Sequence, residues 1–96
     1  MHRALLSLLL LAACAASPAP NMWGAQSRDV TVDGRAYTVW WTTEEFEVIR
    51  HGWAGSGEHQ QIRTTMLALV PQVTGCRMQE ASVTGDSGEI HGRLTC

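Results

Sequence analysis

The chain has 96 residues, with 7 Lys+Arg against 9 Asp+Glu for a net charge of −2 at neutral pH, so it has no surplus of base for a phosphate backbone and nucleic acid is not an expected partner. Hydrophobic residues at 45% and charged residues at 17% exclude an intrinsically disordered chain and make one small globular domain the ceiling. A core of that size is marginal alone, which gives weight to the three cysteines.

Met1-His2-Arg3 is a short basic start, an apolar run from Ala4 to Ala13 broken only by Ser7 follows, and Cys14 comes next. The run is about half of the ~20 residues a membrane-spanning helix needs, so residues 1–13 read as a secretory signal peptide. Leu11-Ala12-Ala13-Cys14 resembles the bacterial lipobox, in which small side chains fit a narrow peptidase site and the cysteine thiol takes a diacylglyceryl group. The resemblance implies that Cys14 is the lipidated first residue of the mature chain. Two or three palmitate-type acyl chains, at ~0.8 kcal/mol per buried methylene, would hold it stably to a bilayer. Ala15 stands where an Asp would favour inner-membrane retention, so in a double-membraned bacterium the resemblance implies the outer membrane, facing the periplasm. The alternative is ordinary cleavage at Ala13-Cys14-Ala15 or at Ala19, which leaves a soluble secreted domain.

Residues 14–27 read as the lipidated cysteine and a Pro/Ala/Ser tether, with the folded domain at 28–96. Trp23 either dips into the headgroup region or folds back on the domain. From Cys14 onward six arginines, no lysine and nine acids leave a net charge of −3, which gives no broad attraction to anionic lipid or polymer.

Asp33-Gly34 between two β-rich runs predicts a hairpin with a two-residue turn, Val32 opposite Arg35 and Val30 opposite Tyr37. Val30, Val32, Tyr37, Val39 and Trp41 then share the core face, and Trp40 points the other way, either under a helix or toward water. Phe46 to His51 alternates as a third strand, and Gly52 to Gly57 is a glycine-rich loop. Ile62, Met66, Leu69 and Val70 form the stripe of an amphipathic helix, capped by Ser56 or Gly57 with Glu58 in its first turn and stopped by Pro71. The helix is expected to cover one face of the sheet.

Gly75 to Cys96 predicts a second hairpin around Gly85-Asp86-Ser87-Gly88, with Ile90, Gly92, Leu94 and Cys96 on one face. Centring the turn on Asp86 makes partner numbers sum to 172, which sets Cys76 opposite Cys96 at a Cα separation of ~4.5 Å, within disulfide range. With Cys14 assigned to lipid, this is the one pairing left, and an oxidising periplasm permits it. Strict pairing would set Glu80 on the face of Met78, so a bulge near Glu80 is expected if Ala81 and Val83 face inward.

Gly85-Asp86-Ser87-Gly88 resembles the sequence around the nucleophile of chymotrypsin-like serine proteases, but the resemblance spans four residues and the chain is too short for that fold's two barrels. Gly, Asp and Ser are also what a hairpin turn requires. His51, His59 and His91 lack metal-ligand spacing and read as solvated or capping histidines. Glu44, Glu45 and Glu47 read as a solvated acidic face. Burial of Trp40 and Trp53 under the helix is the simpler expectation for a small domain. Exposed beside the glycine loop they would instead stack on a sugar or anchor a peptide, with Arg50 pairing a carboxylate.

These readings predict an α+β domain of order β-β-β-α-β-β with one disulfide, no catalytic residue, no metal and no cofactor. Its expected role is that of an envelope lipoprotein, held to the bilayer by acylated Cys14 and acting as a binding or structural module on an envelope protein or peptidoglycan. A small ligand- or metal-binding scavenger and a small periplasmic hydrolase are the alternatives.

Overall fold

The computed structural model describes residue 22 and residues 24–96; residues 1–21, with Cys14, and Trp23 lie outside the described residues. The two β-rich runs form β1 (Gln26–Val32) and β2 (Arg35–Trp41). Asp33 at φ 50° and Gly34 at φ 76° join them, both positive as a tight hairpin turn matching the strand twist requires. Val32 pairs with Arg35 and Val30 with Tyr37, and the ladder continues to Gln26 opposite Trp41. The strand therefore starts at Gln26 rather than Arg28. Met22, within the span read as tether, is only 1% exposed.

β3 (Glu45–Arg50) pairs antiparallel with β2, and the helix α1 runs from His59 to Thr74. The stripe residues Ile62, Met66, Leu69 and Val70 are all buried. Two boundaries differ from the sequence expectation. The N-cap is Glu58, with no side-chain cap, because the Glu58 carboxylate turns back to the loop instead of onto the first turn. At the other end Pro71 does not stop the helix, which continues to Thr74 and ends on Gly75 in the left-handed region, whose N–H donates to the Pro71 carbonyl. Proline lacks the donor and crowds the preceding turn. Here its ring is exposed while neighbouring Val70 and Val73 pack on the core, so burial on the opposite side carries the helix through.

The last third is a hairpin interrupted by an insertion. β4 (Arg77–Met78), a single 3₁₀ turn at Glu80–Ser82 and β5 (Thr84–Gly85) lead to β6 (Glu89–Thr95). Arg77 pairs with Thr95 and Met78 with Leu94, so the partner sum is 172 as expected at the cysteine end. Beyond the 3₁₀ turn Thr84 pairs with His91 and Gly85 with Ile90, and the sum is 175. The disruption anticipated near Glu80 is thus a three-residue shift, which moves the turn off Asp86. Cys76 and Cys96 are joined by a disulfide with Cα atoms 4.4 Å apart.

β6 also pairs with β3, giving the order β1-β2-β3-β6-β4, with β5 on β6. One face of this antiparallel sheet receives α1. Tyr37 and Val39 from β2, Phe46 and Val48 from β3, and Ile90 and Leu94 from β6 meet the helix stripe in one core cluster, each buried side chain stabilising by about 1.5–3 kcal/mol. Gly92 is required there: a Cβ would lie 2.9 Å from the Phe46 ring opposite it. The fold is α+β, as its sequence pattern indicates.

Candidate functional site

The antiparallel connections give the domain two unlike ends. Gly24, Ala25, Gln26, Thr42, Thr43 and the Cys76–Cys96 disulfide border one shallow depression at what we term the proximal pole. Seven residues of strand, about 23 Å at ~3.3 Å each, separate it from the distal pole. There the Asp33-Gly34 turn, the loop after β3, the start of α1 and the turn Asp86–Gly88 come together.

Trp53 stands at the distal pole and is 85% exposed. The expectation that it packs under the helix is corrected: the loop leaves β3 through Gly52 in the left-handed region at φ 82° and carries the indole outward. Its six-membered ring lies against Gly55, where a Cβ would come within 3.3 Å of Cη2. Between Trp53 and the first hairpin turn is an open cleft of about 440 Å³ lined by Asp33, Gly34, Arg35, Ala36, His51 and Gly52.

The loop under the indole is held by one carboxylate. Glu58 Oε2 accepts the Gly55 N–H at 3.0 Å and an Arg35 Nη2 hydrogen bond at 3.0 Å. The Gly55 N–H foremost, and then the Arg35 guanidinium, hold the Glu58 carboxyl below its ordinary pKa. His51 on the cleft wall has its Nε2 2.7 Å from Thr38 Oγ1, and Thr38 donates to Asp29 at 2.7 Å. The wall is therefore fixed by buried Thr38 beneath it.

The three residues singled out as a binding surface do not meet. Trp40 pairs with Glu47 and Arg50 with Tyr37, and strand alternation puts the first on the open face of the sheet and the second on the helix face. Trp40 is half-buried, with Nε1 lacking a hydrogen-bond partner, so it is neither under the helix nor freely exposed. Arg50 buries Nε and Nη1 without hydrogen bonds. Arg35 supplies the cation beside Trp53 instead. Sequence reasoning missed Arg35 and Glu58, although a carboxylate placed three residues after Gly55 at a helix start was a usable signal.

The acidic run also differs from expectation. Glu44 is exposed, but Glu47 is 5% exposed and sits between its cross-strand neighbours Trp40 and His91. It lines a cleft of about 510 Å³ on the open face with Met22, Glu45, Glu89, His91 and Arg93. His91 bonds Thr84 Oγ1 at 2.7 Å and Glu89 at 2.9 Å.

His59 and Ser87, distant in sequence, are brought together with Nδ1 2.5 Å from Oγ. Ser87 is buried at 8% exposure. Asp86 accepts the Gly88 N–H at 2.8 Å, and that bond first, then the Glu89 N–H, lowers the Asp86 pKa, with the Arg50 charge adding less. The Gly-Asp-Ser-Gly segment thus closes a turn and pins it to the helix start. The three histidines remain apart. Among the described residues no group of three or more His, Cys, Asp or Glu side chains is placed to hold a metal ion, and no helix is long and apolar enough to cross a membrane.

Comparison with known proteins finds no matching family profile, no significantly similar curated protein and no significantly similar solved structure.

Proposed function

We propose that the chain is a bacterial envelope lipoprotein, held by acylated Cys14 at the outer membrane facing the periplasm, that binds a protein or cell-wall partner through its distal pole without catalysis. The observation that carries this reading is Trp53, 85% exposed at the end opposite the strand through which the chain joins the sheet. A large indole left in water by a small domain forgoes burial that its core would use, and such residues are favoured anchors at interfaces. Glu58 supports the reading by holding the indole's loop in one position through Gly55 and Arg35, which lowers the entropy lost on binding. The anchor rests on Leu11-Ala12-Ala13-Cys14. With β1 starting at Gln26 and Met22 buried, the folded domain begins earlier in the chain than Arg28.

A photo-reactive amino acid at position 56, exposed in the loop that carries Trp53, or at position 43, introduced into the full chain in living cells, tests the site. Adducts formed from position 56 and not from 43 are expected; equal or reversed yields would contradict a distal interface. Intact mass of the membrane-extracted protein tests the anchor, with a chain starting at Cys14 and carrying acyl groups as the expected result. A lipid-free mass starting later would end the lipoprotein reading.

A further inference from the structure

We infer that the cleft between Trp53 and the Asp33-Gly34 turn binds a pyranose ring of a neutral or N-acetylated glycan, an inference that rests on the distal-pole reading and names its ligand class. The cleft has one aromatic wall and polar groups around it. Trp53 contributes an indole held against Gly55, and the rest of the wall is Asp33, Arg35, Ala36, His51 and two glycines. A sugar ring matches that division, because its C–H face packs on an aromatic surface while its hydroxyls and acetamido group donate and accept hydrogen bonds at its edge. Asp33 accepts, Arg35 donates, and His51 has Nδ1 left for a ligand, since its Nε2 donates to Thr38, whose one hydroxyl proton goes to Asp29. The volume of about 440 Å³ lies in the usual range of small-molecule sites, roughly 300–1,000 Å³.

Other occupants fit less well. An amphipathic peptide helix needs a row of apolar side chains to receive its anchors, and beyond Trp53 the cleft offers only Ala36. An extended peptide adding as a strand needs a free backbone edge. Arg35 and Ala36 are already paired with Val32 and Thr31, and the Ala36 carbonyl accepts the His51 N–H at 2.9 Å. A polyanion meets Asp33 and a guanidinium already bonded to Glu58. A quaternary ammonium meets one indole rather than a cage, with Arg35 and His51 beside it.

The test uses the full chain, ¹⁵N-labelled and held in lipid nanodiscs, followed by the Trp53 indole N–H and the Gly34, Ala36 and Gly52 backbone amide resonances of the cleft during titration with chitotetraose, cellotetraose or choline chloride. Either oligosaccharide should shift the Trp53 resonance saturably, with a Kd of order 1 mM, near the weak end of specific binding. Trp53→Ala should abolish the saturable amide shifts, and Trp53→Tyr should bring them back with binding weaker than the parent's by about tenfold or less. Arg35→Ala should weaken it severalfold. No saturable shift with either sugar at 10 mM, a response to choline alone, or oligosaccharide shifts that persist in Trp53→Ala would overturn the inference. If cross-linking from position 56 still yields protein adducts when the sugars fail, the distal interface stands and the glycan is wrong. If neither occurs, both are wrong.

Discussion

The two poles of this domain are built on different principles. At the proximal pole a disulfide joins Cys76 at the end of the helix to Cys96, and Gly75 ends α1 with a backbone bond to Pro71. At the distal pole polar contacts and the packing of Ala54 on the core hold the loops: Glu58 bonds Gly55 and forms an ion pair with Arg35, His59 meets Ser87, and Asp86 accepts from Gly88. Covalent stiffness lies where the chain joins the sheet, and adjustable polar contacts lie where the exposed indole is. The contrast points to a general economy for small domains. A disulfide restricts the unfolded chain wherever it closes the loop, so it need not sit beside a site, which is left free to use surface chemistry.

The largest effect should come from the proximal pole. Cys76→Ser with Cys96→Ser opens a loop with a sequence separation of 20 residues and should cost about 3 kcal/mol, lowering Tm by roughly 12–24 °C in a domain of this size. Thermal melts of both forms check it. Well below the lowered Tm, Trp53 emission should be unaltered; a changed spectrum would mean that the poles are coupled. Next comes Gly92→Ala, whose Cβ meets the Phe46 ring at 2.9 Å. Overpacking of that kind typically costs about 1–3 kcal/mol, and urea denaturation should show it as a lower midpoint at constant m.

Distal substitutions should leave global stability nearly untouched and change the loop. Because its folded pKa is lowered, Glu58 steadies the loop fully above the ordinary glutamate pKa of about 4.3, and that contribution is lost as pH falls through the lowered value. The heteronuclear NOE of the Gly55 amide and of the Trp53 indole N–H should therefore fall on acidification before global unfolding begins, and Glu58→Gln should remove that acid-dependent step. An unchanged titration in Glu58→Gln would show that another group holds the loop. The smallest effect belongs to Trp53→Ala, within about 0.5 kcal/mol of the parent in a chemical melt, since the side chain is 85% exposed. A loss of several kcal/mol would place the indole in the core.

The sequence disclosed what repeats at a fixed period. Asp33-Gly34 set the first hairpin's register, the stripe Ile62, Met66, Leu69 and Val70 set the helix face, and the spacing of Cys76 and Cys96 set the proximal end of the second hairpin. Less of the candidate site was legible, because its contacts join residues whose spacing follows no period. Arg35 reaches Glu58 across 23 residues and His59 reaches Ser87 across 28. The three-residue 3₁₀ insertion was legible only as a conflict of facing at Glu80, and its length shows only in the different registers that β4 and β5 take against β6. Burial of Glu47 required knowing that β6 sets His91 beside it.

An exposed tryptophan at the headgroup side of an anchored domain would serve as a membrane contact instead of a recognition group, so the direction in which Trp53 faces decides the central claim. With the acylated full chain in nanodiscs containing a paramagnetic lipid, relaxation enhancement can be read at the Thr43 amide and the Trp53 indole in one sample. The account predicts strong broadening at Thr43 and little at Trp53. Strong broadening at Trp53 with Thr43 spared would contradict it and turn the distal pole toward the bilayer.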